Sequence, residues 1–289
     1  MTCPAPVTAS ATSDGGAVVP FPLAVASGGR TPVAVACTPG SGHVFSVGTT
    51  SVSCTATDAA AVTASCAFNV VVSPAPHLAR THFLAFGDSI TAGEVTVPLS
   101  MGLLSGRLPQ YRQVVLPTVS YPTVLERLLT ARYPAQEPYV VNAGRPGQAA
   151  ADAEPRLLST LVTDRPDVVL LLMGYNDLRS SADRLRAVAT VERMAKDVRG
   201  YGARLFLGTL TPGIPERTRS LEPTAILAFN DAMRTLAASE AAVLVDLYQT
   251  FLPNVNAWVG VDGLHPTEAG YAVIAEAFYA AIRADLEER

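Results

Sequence analysis

The chain has 289 residues, 49% hydrophobic and 16% charged, which gives it the apolar material for a core and excludes a disordered chain. A net charge of −4 offers no basic stripe to neutralise phosphates, which argues against a nucleic-acid partner. The longest apolar run, around Val168–Met173, is strand-sized and far short of the ~18 residues that span a bilayer, so no membrane span is expected.

Met1 leads straight into Thr2, Cys3 and Pro4, with neither the charged nor the apolar region of a secretory leader, and such a leader is expected to have been removed. The cysteines give the compartment. Cys3, Cys37, Cys54 and Cys66 lie in the first quarter and none follows. That clustering suggests two disulfides and a secreted or extracytoplasmic protein; four buried free thiols are the alternative. No C-x-x-C spacing occurs, so zinc and thioredoxin-like readings are weak.

Residues 1–74 carry β-prone runs at Val18–Val25, Pro32–Cys37, Thr50–Asp58 and Val62–Val72. Pro20 and Pro22 demote the first to an edge strand at best. Turn-like clusters, Ser27-Gly28-Gly29 and Pro39-Gly40-Ser41-Gly42, separate the runs. Regular short strands with this punctuation predict a small all-β sandwich.

The segments Cys37-Thr38-Pro39-Gly40-Ser41-Gly42, Phe45-Ser46-Val47-Gly48-Thr49-Thr50, Cys54-Thr55-Ala56-Thr57-Asp58 and Ala64-Ser65-Cys66 resemble a hyalin repeat over residues 3–73. That family is an extracellular immunoglobulin-like module associated with adhesion. The resemblance implies pairing of Cys37 with Cys54 and of Cys3 with Cys66, and a carbohydrate or surface partner for this domain. The chain departs from the family at Ala59-Ala60-Ala61-Val62, where a Gly-Asn turn is usual, which leaves that hairpin open.

Ser73-Pro74-Ala75-Pro76 reads as a short, stiff linker, and residues 75–80 are expected to join the two domains. From residue 81 to 289 the periodicity changes. Apolar strands at Phe83–Phe86, Tyr139–Val141, Val168–Met173, Leu205–Leu207 and Val243–Leu247 alternate with helices at Tyr121–Tyr133 and Arg184–Val198. A last helix places Tyr271, Ile274, Phe278 and Ile282 on one face. This alternation predicts an α/β domain with a parallel sheet covered on both faces.

In such sheets functional groups gather beyond the carboxyl ends of the strands. Those ends carry Gly87-Asp88-Ser89, Asn142-Ala143-Gly144, Gly174-Tyr175-Asn176-Asp177 and, before the last helix, Asp262-Gly263-Leu264-His265. Acyl transfer needs this set: a serine hydroxyl, an imidazole to take its proton, a carboxylate to orient the imidazole, and donors for the oxyanion. Of four histidines, His43 and His77 lie in the sandwich and linker, and His82 begins its strand about 20 Å from the carboxyl edge at ~3.3 Å per residue. His265 alone remains. Each segment has a plain structural reading by itself, as a strand-ending turn, a helix cap or a surface loop; only the set carries chemistry.

These four segments, in this order, resemble the four blocks of the SGNH (GDSL) hydrolases over residues 81–289. The resemblance implies a flavodoxin-like three-layer α/β/α fold and ester hydrolysis with no cofactor and no metal. It makes Ser89 the nucleophile, His265 the general base and then acid, and Asp262 the residue that orients His265. It forms the oxyanion hole from the backbone N–H groups of Ser89 and Gly144 and the Asn176 amide, and leaves Asp88 to shape the nucleophile turn.

The substrate is then a small-molecule or polymer-borne carboxylic ester, with short- to medium-chain acyl groups or acetylated polysaccharide as the choices. A rival of another class is an adhesion protein with an inactive hydrolase domain, against which Ser89, Asp262 and His265 stand together. Residues 94–120, with Val97-Pro98-Leu99, Met101, Leu103-Leu104, Arg107 and Arg112, form an insert expected to wall the acyl or alcohol pocket, with a solvent-exposed loop as the alternative. Thr209-Leu210-Thr211-Pro212 is expected to line the same cleft. No G-x-S-x-G, H-E-x-x-H or nucleotide-binding loop occurs.

Overall fold

The computed structural model describes all residues except Asp14, 99–110, Arg179 and Arg289. The chain divides into two compact units, Met1–His77 together with the C-terminal Glu288, and Leu78–Glu287.

The first unit is all-β, built from β1 (Val7–Ser10), β2 (Ala17–Val19), β3 (Ala34–Thr38), β4 (His43–Phe45), β5 (Gly48–Thr57) and β6 (Thr63–Ser73). One sheet has the order β1-β6-β5-β3, with β1 parallel to β6 and the other pairs antiparallel. β2 and β4 form a separate antiparallel pair. Strand β2 stops before Pro20, which has no N–H to continue a ladder. Alternation drives the packing: Val52, Cys54 and Ala56 of β5 and Phe68, Val70 and Val72 of β6 are buried while their neighbours face out. Phe21 stands edge-on to Phe68 at a centroid distance of 5.0 Å.

Cys37 is bonded to Cys54 and Cys3 to Cys66, across sequence separations of 17 and 63 residues. Closing loops of that length removes about 3 and 4 kcal/mol of unfolded-chain entropy respectively in the chain-entropy model. The β5–β6 hairpin closes without a Gly-Asn pair. Asp58 accepts the N–H groups of Ala60 and Val62, both at 2.9 Å, and Ala61 takes the left-handed conformation at φ 63°. The N–H of Arg30, then that of Val62, holds the Asp58 carboxyl below its ordinary range.

The unit boundary falls inside residues 75–80, at the two-residue extended segment β7 (His77–Leu78). Leu78 is already buried in the second core, and its N–H and carbonyl are both bonded by the Gln136 side chain.

The second unit is a five-stranded parallel sheet. Its chain order runs β8 (His82–Gly87), α1 (Ser89–Ala92), β9 (Glu94–Pro98), β10 (Tyr111–Val115), α2 (Tyr121–Arg132), β11 (Tyr139–Gly144) and α3 (Ala150–Asp164). It continues with β12 (Val168–Leu172), α4 (Ser181–Tyr201), β13 (Arg204–Gly208), α5 (Pro223–Ser239), β14 (Val243–Val245), α6 (Leu247–Phe251), α7 (Val255–Trp258) and α8 (Glu268–Leu286). The sheet order is β11-β8-β12-β13-β14 with every pair parallel. Counting only these strands, that is 2-1-3-4-5, the flavodoxin-like order, whose direction of winding reverses at β8. Helices α2 and α8 pack together as one outer layer and α3, α4 and α5 as the other.

Strand β12 is buried along its whole length, as a central strand covered on both faces must be. At the edge, the Val140 N–H of β11 is bonded by the Glu126 carboxylate at 2.8 Å, so it is not left as a template for another chain. The fifth strand is shorter than its apolar run suggests: the Asp246 side chain accepts the Gln249 N–H and caps α6, so Leu247 begins a helix. Among the described residues no helix is long and apolar enough to cross a membrane.

Candidate active site

The reversal of winding at β8 opens a crevice beyond its carboxyl end, and Ser89 stands there as the first residue of α1. Asp88 accepts the Ile90 N–H at 3.1 Å and caps this four-residue helix. The other Asp88 oxygen is buried without a hydrogen-bond partner among the described residues, and burial pushes the carboxyl up to about 7 against the pull of Ile90.

The loop before α8 brings in the other two groups. Asp262 accepts the N–H groups of Leu264 and His265, both at 3.0 Å, which folds Asp262–His265 into a tight turn. His265 Nδ1 lies 2.5 Å from Asp262 Oδ2, and His265 Nε2 lies 2.9 Å from Ser89 Oγ. Ser89 is 5% exposed and both partners are fully buried. Burial would raise the Asp262 carboxyl, but its bonds to His265 and Leu264 prevail and hold it below its ordinary value. The carboxylate therefore accepts a hydrogen bond from Nδ1–H, and Nε2 is left as an acceptor for the serine hydroxyl.

The structure deals differently with Gly144. Its N–H is not free: it donates to Asn142 Oδ1 at 3.0 Å. Nor is there room for a side chain, since a Cβ would lie 2.1 Å from the Ala92 backbone nitrogen and 2.5 Å from the Thr91 carbonyl carbon. Gly144 is the point where β11 meets the backbone of α1. Three residues on, Gly147 has φ +73°, open space around its Cα, and an N–H without a bonded acceptor among the described residues. Sequence reading passed over Gly147; its signal is Pro146-Gly147, a dipeptide suited to a turn with positive φ at its second residue.

Asn176 sits in the short 3₁₀ turn after β12, and its Nδ2 donates to the Gln148 carbonyl at 3.1 Å. The amide has a second hydrogen to offer. Its neighbour Asp177 accepts the Ala150 N–H at 3.0 Å and so caps α3, which lacks a cap of its own. Thr209, Leu210 and Thr211 are buried bracing rather than an open wall: Thr211 bonds the Tyr175 hydroxyl at 2.6 Å and Thr209 bonds Asp246 at 3.0 Å.

The insert lies against the histidine loop. Strands β9 and β10 form a hairpin, and Gln113 Nε2 of β10 comes within 3.4 Å of His265 Nδ1. Leu99, Met101, Leu103, Leu104 and Arg107 lie outside the described residues, and Arg112 is exposed. Among the described residues no group of three or more His, Cys, Asp or Glu side chains is arranged to hold a metal ion.

The profile of the GDSL-like lipase/acylhydrolase family matches residues 85–273. The chain belongs to this family. A HYR domain profile matches residues 1–72. Esterase TesA of Pseudomonas aeruginosa is 29% identical over 131 residues, 45% of this chain and 62% of that protein, so less than two thirds of the relative is matched. The crystal structure of the lipase/acylhydrolase from Enterococcus faecalis superposes with a TM-score of 0.56 at 23% identity, over 72% of this chain and 97% of that one. Axe2, an acetylxylan esterase from Geobacillus stearothermophilus, gives 0.54 at 21% identity over 70% and 94%. At these identities the two structures bear on the fold alone.

One further residue of the GDSL-like domain escaped the sequence reading. Arg156 of α3 donates to the carbonyls of Gly87 at 3.2 Å and Ala143 at 2.7 Å, and to Gln148 Oε1 at 2.9 Å. It stacks 4.0 Å above the Phe86 ring. Burial, then the nearby Arg145, lowers its guanidinium to about 10, so it stays charged at neutral pH. One cation thus ties together the ends of β8 and β11 and, through Gln148, the Asn176 loop. No sequence signal announces it, since Arg156 lies beside the buried face of Ala150, Ala153, Leu157 and Leu161 and not on it.

Proposed function

We propose that this chain is a serine esterase that hydrolyses carboxylic esters through an acyl-enzyme. The observation that carries the proposal is the relay of hydrogen bonds from Ser89 through His265 to Asp262 at the carboxyl edge of a GDSL-family sheet. In the first half-reaction Ser89 Oγ bonds to the ester carbonyl carbon while Nε2 takes its proton. The tetrahedral adduct then collapses, the C–O ester bond breaks, and Nε2 gives the proton to the departing alcohol. Water, deprotonated by Nε2, releases the acid by the same steps in reverse order.

The oxyanion is assigned to the Ser89 N–H, the Asn176 amide and the Gly147 N–H, with Gly147 taking the role expected of Gly144. The Ser89 N–H is available because the first turn of a helix leaves its donors unpaired. Asn176→Ala is expected to cost about 3 kcal/mol of transition-state stabilisation, roughly a hundredfold in kcat. Near-normal turnover of that variant on a short-chain ester would remove Asn176 from the oxyanion site.

A panel of p-nitrophenyl esters of graded acyl length tests the reading, with Ser89→Ala as control. Turnover that disappears with the hydroxyl is the expected result; turnover that survives it defeats the proposal. The HYR match and the disulfides favour work outside the cytoplasm, and a carbohydrate or surface partner for the first unit. They also favour a second reading, deacetylation of an acetylated polysaccharide. A preference for acetyl over longer chains in the same panel separates it from a broader esterase.

A further inference from the structure

Glu94 is the first residue of β9 and follows the nucleophile helix by one glycine. Its backbone is fixed from three sides. Gly93, left-handed at φ +90°, closes α1; Glu94 pairs with Val115 in the hairpin; and the Tyr271 hydroxyl donates to the Glu94 carbonyl at 2.7 Å. The side chain is 10% exposed, and no hydrogen bond to its carboxylate is formed among the described residues. Its Oε1 lies 3.7 Å from His265 Nε2, the same ring atom that Ser89 Oγ approaches at 2.9 Å.

That placement is chemically informative. Asp262 occupies the Nδ1 edge and fixes the tautomer, whereas Glu94 stands at the edge where protons are exchanged. At 3.7 Å it is too far to bond to the ring and near enough to face whatever does. The leaving alcohol must lie against Nε2 to receive its proton, so its oxygen and the substituents beside it come next to a nearly buried carboxylate. The acyl oxygen is held by the donors assigned above, the Ser89 and Gly147 N–H groups and the Asn176 amide, none of which is bonded by Glu94.

We propose that Glu94 is the specificity-determining residue of an alcohol subsite, which accepts alcohols bearing a positive charge or hydrogen-bond donors and rejects anionic ones. The proposal rests on the serine-esterase reading. In a partly buried site with an effective dielectric near 20, a unit charge about 6 Å from the carboxylate changes binding by roughly tenfold to a hundredfold in either direction.

The test uses the full chain and three acetyl esters of matched size: acetylcholine, its neutral carbon isostere 3,3-dimethylbutyl acetate, and the anionic 3-sulfopropyl acetate. The expected order of kcat/KM for the wild type is cationic, then neutral, then anionic. Glu94→Gln keeps the shape and removes the charge, and should shrink the cation-to-anion ratio by roughly tenfold or more. Glu94→Asp should keep the order. A wild type that hydrolyses the anionic ester as well as the cationic one overturns the proposal. So does a Glu94→Gln variant that slows all three by one common factor, since a purely structural role would do that. Ser89→Ala run beside them keeps the outcomes apart: turnover surviving in that variant sinks the esterase reading itself, whatever Glu94 does.

Discussion

Asp262→Asn is expected to lower kcat about ten-thousandfold, the loss seen when the orienting carboxylate of a serine triad is neutralised in place. The physical reason lies in the proton count on His265. With Asp262 Oδ2 at 2.5 Å, the ring proton belongs on Nδ1 and Nε2 is bare. An asparagine in the same place presents N–H₂ to Nδ1, which drives the ring proton to Nε2, where it blocks transfer from Ser89. The remaining amide oxygen can still accept the Leu264 and His265 N–H groups that Asp262 Oδ1 accepts now, so the turn should survive. Circular dichroism and a denaturant midpoint near wild type, combined with the fall in kcat, would be the supporting pattern. A variant that keeps a tenth of its turnover would show that Asp262 is not the orienting group.

The second large effect concerns stability. Gly144→Ala places a methyl group 2.1 Å from a backbone nitrogen and 2.6 Å from a backbone Cα of Ala92. No rotamer change relieves a clash with main chain, so α1 and β11 must separate, carrying the nucleophile turn with them. Overpacking of this kind is expected to cost about 3 kcal/mol or more. Gly147→Ala meets nothing within 4 Å and bears only the strain of a positive φ, about 1–2 kcal/mol. Urea unfolding of the two variants provides the comparison. Equal midpoints would contradict the contact role assigned to Gly144.

These two glycines show where residue types stop being informative. The sheet was legible because buried parallel strands are continuous apolar runs; the ends of those runs offered Ser89 and Asn176 as candidates, and the segment before the last helix offered Asp262 and His265. Which backbone N–H stays free is decided by a side chain two residues away: Asn142 satisfies Gly144, and no residue count reveals that. The end of the fifth strand was missed for a related reason, because the cap supplied by Asp246 outweighs the apolar character of Leu247. Glu94 and Arg156 were invisible for another reason. Their roles come from what the fold sets opposite them, a ring atom from a distant loop and the carbonyls of two strand ends. An isolated glutamate after a glycine, or one arginine on a helix, carries no such sign.

The hydroxyl and the imidazole that bond across the crevice are separated by 176 positions, with the nucleophile at the first strand of the sheet and the base just before the final helix. A chain emerging from the ribosome therefore has all five strands of the sheet behind it before the base exists. The loop that carries the imidazole leads directly into the terminal helix, so the base is held over the serine by a segment anchored on that helix. Tyr271, Ile274, Phe278 and Ile282 of that helix are fully buried, so the segment that presents the base is anchored by the same residues that close one face of the core.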